Sequence, residues 1–98
     1  MNIVKTIDGN KMTMTVEGRL DTNASNVFLE AFNESSEGLA EFVLDLGRVD
    51  YISSAGLRAL LSTQKFMNKQ GKMSIINVTE DLMEVFDLTG FTDILNIE

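Results

Sequence analysis

A chain of 98 residues, 44% hydrophobic and 23% charged, has the size of one compact globular domain, 1–98, and leaves no length for a second. It contains neither Cys nor His, which excludes disulfides, thiolate chemistry, imidazole bases, the Ser-His-Asp and Cys-His triads and the common zinc sites. The net charge of −7, with only 8 Lys and Arg, argues against nucleic acid as a partner and suits a basic protein surface instead.

The opening MNIVKTIDGN shows no basic region followed by an apolar core, and no apolar run approaches the roughly 18 residues that span a bilayer. A soluble, cytoplasmic chain without membrane insertion is therefore expected. IVKTI (3–7) reads as a strand, and KMTMTVEG (11–18) alternates Met12, Met14 and Val16 with Thr13, Thr15 and Glu17, the period of a strand with one buried face. Asp8 and Gly9 between them are hairpin turn residues. Beyond Gly18, the residues Ala24, Val27, Phe28, Ala31 and Phe32 recur with helical spacing, so an amphipathic helix is predicted with Asp21, Thr22 or Asn23 as its cap and SSEG (35–38) as its end.

EFVLDLGRV (41–49) is almost continuously apolar around Asp45, which predicts a central strand buried on both faces. A second helix follows from about Ala55, with Leu57, Leu60, Leu61 and Met67 on its inner stripe and Gly71 as a left-handed end. KMSIINV (72–78) is another buried strand. TEDLMEVFDLTGF predicts a third helix capped by Thr79, with Glu80 and Asp81 at its positive end, Leu82, Val85 and Phe86 inward and Gly90 as its stop. Phe91 is placed to fold back on Phe86, and residues 92–98 stay open between a short strand and a turn. The order predicts a small α/β domain: a mixed sheet with an N-terminal antiparallel hairpin, later strands parallel, and three to four helices packed on it.

In such sheets functional groups collect where strands give way to helix N-termini, because unpaired N–H groups and the helix dipole make those points electropositive. DYISSAGLRALL (50–61) brings two serines to one such point. Ser54 is read as the cap of the second helix, which accounts for one hydroxyl and leaves Ser53 over. Gly56, in the first turn, either admits a tight helix-to-sheet contact or keeps the approach to Ser54 open. No spacing of the 15 carboxylates resembles a metal loop or an acid-base dyad, and no Gly-Lys-Ser/Thr phosphate loop occurs.

VLDLGRVDYISSAGLRALL (43–61) resembles the signature of the STAS family, most closely its single-domain bacterial anti-sigma factor antagonists: an apolar strand with Asp or Asn, a loop, then Asp-Ser-Ser/Ala/Thr-Gly-Leu and leucines. VEGRLDTNAS (16–25) resembles the family's Gly-x-Leu-Asp segment, and LMEVFDLTGFTDILNI (82–97) its closing helix, so the resemblance covers nearly the whole chain. It implies a phosphoacceptor at Ser54 and a partner-binding surface on Asp21, Thr22, Ser53, Ser54, Ala55, Gly56, Leu57 and Arg58. It implies no catalytic residue, cofactor or metal. Ser53 departs from the family pattern, where Asp is usual, and this bears on kinase recognition or makes Ser53 a competing acceptor. The implied partner is an anti-sigma factor serine kinase of the histidine-kinase-like ATPase type, bound by the unphosphorylated chain, with a metal-dependent serine phosphatase resetting the switch. The alternative is a STAS subunit of another signalling complex, or of a lipid-transport ATPase, using the same helix face. A hydrolase built on Ser54 lacks a base.

Overall fold

The computed structural model describes residues 2–98. Strand β1 (Asn2–Asp8) and strand β2 (Lys11–Leu20) form the expected hairpin, with Asp8 opposite Lys11. The turn is thus Gly9–Asn10, one residue later than predicted. Gly9 carries φ +61, the positive value that the first central residue of a II′ turn requires. Helix α1 (Thr22–Asn33), strand β3 (Glu41–Ile52), helix α2 (Ser54–Asn68), strand β4 (Lys72–Ile76) and helix α3 (Glu80–Thr89) follow. The sheet order is β1-β2-β3-β4, antiparallel at the first pair and parallel at the other two, as the order of elements predicts.

The pleat divides this sheet into two unlike faces. Met12, Met14 and Val16 of β2, Phe42, Leu44 and Leu46 of β3, and Met73 and Ile75 of β4 are buried. They sit in register, Met12 beside Phe42 beside Met73 and Met14 beside Leu44 beside Ile75. Phe28 and Phe32 of α1, Leu60 and Met67 of α2, and Leu82 and Phe86 of α3 complete the same core. Across the opposite face run Thr6, Thr13 and Val43, and beside them Val4, Thr15 and Asp45, none of them buried. The architecture is two layers, helices over one side of a sheet whose other side is a β-branched surface suited to the pleat.

That arrangement corrects the reading of β3 as buried on both faces: Val43 and Asp45 are only half-buried, since no second helical layer covers them. Val27 is likewise off the buried stripe of α1, 51% exposed, while Ser25 is buried and donates to the Asp21 carbonyl (2.6 Å). On α2 the buried positions are Gly56, Ala59, Leu60, Thr63, Gln64 and Met67. Leu57 and Leu61 are at the stripe's margin, half-buried.

Gly71 is not a left-handed cap. The helix ends through Lys69 in αR conformation, and Gly71 is needed because a β-carbon there would stand 2.7 Å from the Ala40 carbonyl carbon, where Lys72 N–H meets Ala40 O (2.9 Å) to start the β3–β4 ladder. Gly90 does adopt the left-handed form, φ +79, and stops α3 as predicted. The open C-terminal segment forms a 3₁₀ turn, Phe91–Asp93, and then a parallel bridge from Ile97 to Ile75 beside β4. Phe91 is half-buried against the core. Among the described residues no helix is long and apolar enough to cross a membrane.

Candidate functional site

Two parallel strands stop side by side, and each turns directly into a helix. β2 ends at Leu20, paired with Ile52 at the end of β3. To reach that point β2 continues past the alternating segment, through Gly18 at φ +107 and two register shifts against β3, irregularities that raise local twist and re-aim the end of the strand. Asp21 and Ser53 therefore occupy equivalent places, one residue beyond their strands.

Both are helix caps. Asp21, in extended conformation, accepts the Ala24 N–H on Oδ1 at 2.9 Å. Ser53, also extended, accepts the Gly56 N–H on Oγ at 3.1 Å. The cap of α2 is thus Ser53 rather than Ser54. β3 runs on to Ile52, so the first residue released from strand geometry, and the one with the extended backbone a cap needs, is Ser53.

Ser53 has a second engagement. Its N–H and its hydroxyl both donate to the Leu20 carbonyl, each at 3.0 Å, so one side chain closes the first turn of α2 and holds the end of β2. Gly56 belongs to the same joint. It is buried, and a β-carbon on it would lie 2.8 Å from Leu20 O and 2.7 Å from Ile52 Cγ1. Of the two readings offered by the sequence, the tight helix-to-sheet contact is the one present.

Ser54 is left as the first helical residue, exposed, its hydroxyl without a hydrogen bond to any other described residue. The first helical bond is Leu57 N–H to Ser53 O (2.9 Å), so the amides of Ser54 and Ala55 lie ahead of the ladder, at the positive end of the helix. Thr22 and Arg58 are exposed, Ala55 and Leu57 half-buried. Arg58 follows Ser54 by four residues and shares its side of the helix. Of the eight residues singled out from the sequence, Gly56 alone is buried, and the rest lie at or beside the two helix starts.

Sequence reasoning missed the flank of this site. The Arg19 guanidinium lies 4.1 Å from the centre of the Tyr51 ring, the two being cross-strand partners, a cation–π contact that stiffens both strand ends. Arg19, Asp21, Asn23, Ala24 and Val27 line an open depression of about 420 Å³. The available signal was Val27, an apolar residue one step off the stripe of Phe28 and Phe32.

Chemically the site offers a free hydroxyl, exposed amides and a helix dipole. No base is hydrogen-bonded to the Ser54 hydroxyl among the described residues, Asp21 being turned to Ala24 N–H through Oδ1, and the chain has no His. Such a hydroxyl can receive a group transferred by another protein or sit in an interface. It has no means of activating itself.

A family model, STAS domain, matches residues 2–98. Among curated relatives, BtrV of Bordetella bronchiseptica, a putative anti-sigma factor antagonist, is 38% identical over 76 residues, covering 76% of this chain and 66% of the relative. The anti-sigma-B factor antagonist of Bacillus subtilis is 32% identical over 89 residues, covering 90% of this chain and 82% of the relative. Among solved structures, an anti-sigma factor antagonist from Mycobacterium paratuberculosis shares the fold with a TM-score of 0.87 at 18% identity, over 98% of this chain and 83% of that one. SpoIIAA, in its unphosphorylated form, shares it with a TM-score of 0.77 at 12% identity, over 99% of this chain and 87% of that one.

Proposed function

The chain belongs to the STAS domain family, and from that premise we propose that it is an anti-sigma factor antagonist working as one domain, switched by phosphorylation of Ser54. Unmodified, it binds an anti-sigma factor through the surface formed by the starts of α1 and α2, and the sigma factor is released. Phosphorylated, it lets go. The chain is a substrate in this cycle and not an enzyme. The observation that carries the reading is the division of labour between the two serines. Ser53 caps the helix, so Ser54 Oγ stands exposed at its first position with nothing to hold it.

The transfer uses ATP bound by the anti-sigma factor, a serine kinase of the histidine-kinase-like ATPase type, which sets the cycle in the cytoplasm. Ser54 Oγ forms the new bond to the γ-phosphorus, the bond to the ADP leaving oxygen breaks, and the hydroxyl proton passes to a base of the kinase. A metal-dependent serine phosphatase returns the hydroxyl by hydrolysis. The phosphate adds a charge of roughly −1.5 to −2 where the helix dipole and the free amides of Ser54 and Ala55 favour an anion, so the fold tolerates it. The cost falls on the interface, where a surface fitted to a small neutral hydroxyl meets a bulky anion. A loss of about 3 kcal/mol there weakens binding more than a hundredfold.

The test is a pull-down from the native host with the Ser54→Ala chain as bait, followed by phosphorylation of the wild-type chain by the recovered kinase and mapping by mass spectrometry. Recovery of a small ATP-binding kinase and phosphate on Ser54 support the reading. Recovery of a transporter subunit, or phosphate confined to Ser53, overturns it.

A further inference from the structure

Ser53 stands where the sequence pattern leads one to expect a carboxylate, and the structure gives the hydroxyl two tasks of which a carboxylate can do only one. As an acceptor from Gly56 N–H (3.1 Å), Asp would serve as well as Ser, both being preferred caps. As a donor to Leu20 O (3.0 Å), ionised Asp has no proton to offer, and its charge would face a carbonyl oxygen. Leu20 directly precedes Asp21, the cap of α1, and Ser53 directly precedes Ser54. The hydroxyl therefore links the starts of the two helices through a single atom, half-buried at the joint.

We propose that Ser53 is the positioning residue of this site: its hydroxyl ties the end of β2 to the start of α2, fixes Asp21 relative to Ser54, and by that engagement is withdrawn from phosphorylation. The withdrawal has a geometric basis. To become a nucleophile toward phosphorus, Ser53 Oγ must give up the proton that it donates to Leu20 O, which breaks the tie. Ser54 Oγ gives up no hydrogen bond to another described residue when it reacts. In this chain the choice of acceptor between two adjacent serines follows from hydrogen bonding, and the site gains a neutral tie in place of a charged cap. The statement about phosphorylation rests on Ser54 being the acceptor of a kinase, whereas the statement about the tie does not.

The experiment compares the full chain with Ser53→Ala, Ser53→Asp and Ser53→Thr by amide hydrogen exchange. Two amides report the two bonds: that of residue 56 directly for the cap, and that of residue 53, which shares the acceptor Leu20 O with the hydroxyl, for how firmly the tie holds that carbonyl in place. Thr keeps both protected. Asp keeps residue 56 protected and speeds exchange at residue 53 about fivefold, the worth of one hydrogen bond. Ala speeds exchange at both. The anti-sigma factor recovered in the pull-down then binds the Asp and Ala forms more weakly by a similar factor, with Thr restoring affinity. Wild-type protection at residue 53 in the Asp form overturns the tie. With the recovered kinase and ATP, the Ser54→Ala chain stays unmodified, and phosphate on its Ser53 overturns the withdrawal. Absence of any kinase from the pull-down removes the functional reading while the exchange pattern still decides the tie.

Discussion

Replacing Gly56 by Ala sets two quantities of opposite sign against each other. In an ordinary helix the change is favourable by about 1 kcal/mol, because Ala loses less backbone entropy. Here the added methyl would lie 2.7 Å from Ile52 Cγ1, 2.8 Å from Leu20 O and 3.2 Å from Leu20 Cγ. The Ile52 side chain can give way, but the Leu20 carbonyl is held by two donors from Ser53 and cannot retreat without lengthening both bonds, each worth about 1 kcal/mol. Overpacking of this kind costs roughly 1–3 kcal/mol. Adding about 1–2 kcal/mol for the strained bonds and subtracting the propensity gain leaves a net loss of roughly 1–4 kcal/mol. For a domain of this size that is a fall in Tm of at least about 4 °C and up to tens of degrees. Thermal unfolding followed by circular dichroism reads it directly. A Gly56→Ala chain that melts at or above the wild-type temperature would refute the account of the joint, because it would mean that α2 stands off from β2 by more than a methyl group.

Asp21→Ala removes the α1 cap and is expected to cost about 1 kcal/mol, whereas Asp21→Asn keeps the bond to Ala24 N–H and leaves stability near wild type. Loss of partner binding in the Asn form, measured by calorimetry beside an unchanged melt, isolates the role of the charge. Phe32 is 1% exposed, with its ring 4.8 Å from that of Phe42 and 5.6 Å from that of Phe66. Phe32→Ala should cost about 3–5 kcal/mol, a large part of the roughly 5–15 kcal/mol that holds a domain together, and urea unfolding should show the midpoint collapse. Glu98 titrates below the ordinary 4.5, held down by its hydrogen bond to Ser74 and then by Lys72. A carboxyl depressed in the folded chain contributes stability above its unfolded value and loses it as pH falls through the folded one. Exchange at the Ile75 amide, which donates to Asn96 O (2.9 Å), should therefore accelerate in acid beyond its intrinsic rate, and Glu98→Gln should remove that dependence. An NMR titration placing Glu98 at or above 4.5 contradicts it.

The features that the sequence made legible are those whose causes are local. Asp21, Thr79 and Gly90 act on backbone three or four residues away, so side-chain chemistry and position announce the α3 cap and stop and narrow the α1 cap to Asp21, Thr22 or Asn23. The alternation of Met12, Met14 and Val16 needs no knowledge of what covers them to name the buried face. The failures share a different property: their partners are distant in the chain. Gly71 answers to Ala40 and Gly56 to Leu20, contacts that exist only once the sheet is assembled, so conformational freedom was the nearer explanation for the first, and the second stayed divided between a tight contact and an open approach to Ser54. Val43 looked buried because apolar runs do not reveal whether one helical layer or two will form. The serines were misassigned by one residue because nothing in YISSAG marks where β3 stops, and the cap is whichever residue comes next. The surface position of Ser54 follows from that single shift.

The sheet's two edges have different fates. At β4 the edge is covered by the bridge from Ile97 to Ile75, with Glu98 N–H returning to Ile75 O (2.8 Å). At β1 the edge is open, and Val4 and Ile7 there are 62% and 54% exposed, the composition that invites a second chain to add a strand. Between them Lys5 turns inward along the core face, its ammonium bound to Ala31 O (3.0 Å) and Ser35 Oγ (3.2 Å) at the end of α1. A strand docking on this edge would have to lay its own apolar side chains against that half-buried cation. Lys5 is thus an inward-pointing charge on an edge strand, a device that discourages strand addition, and its replacement by an apolar residue should favour β-aggregation.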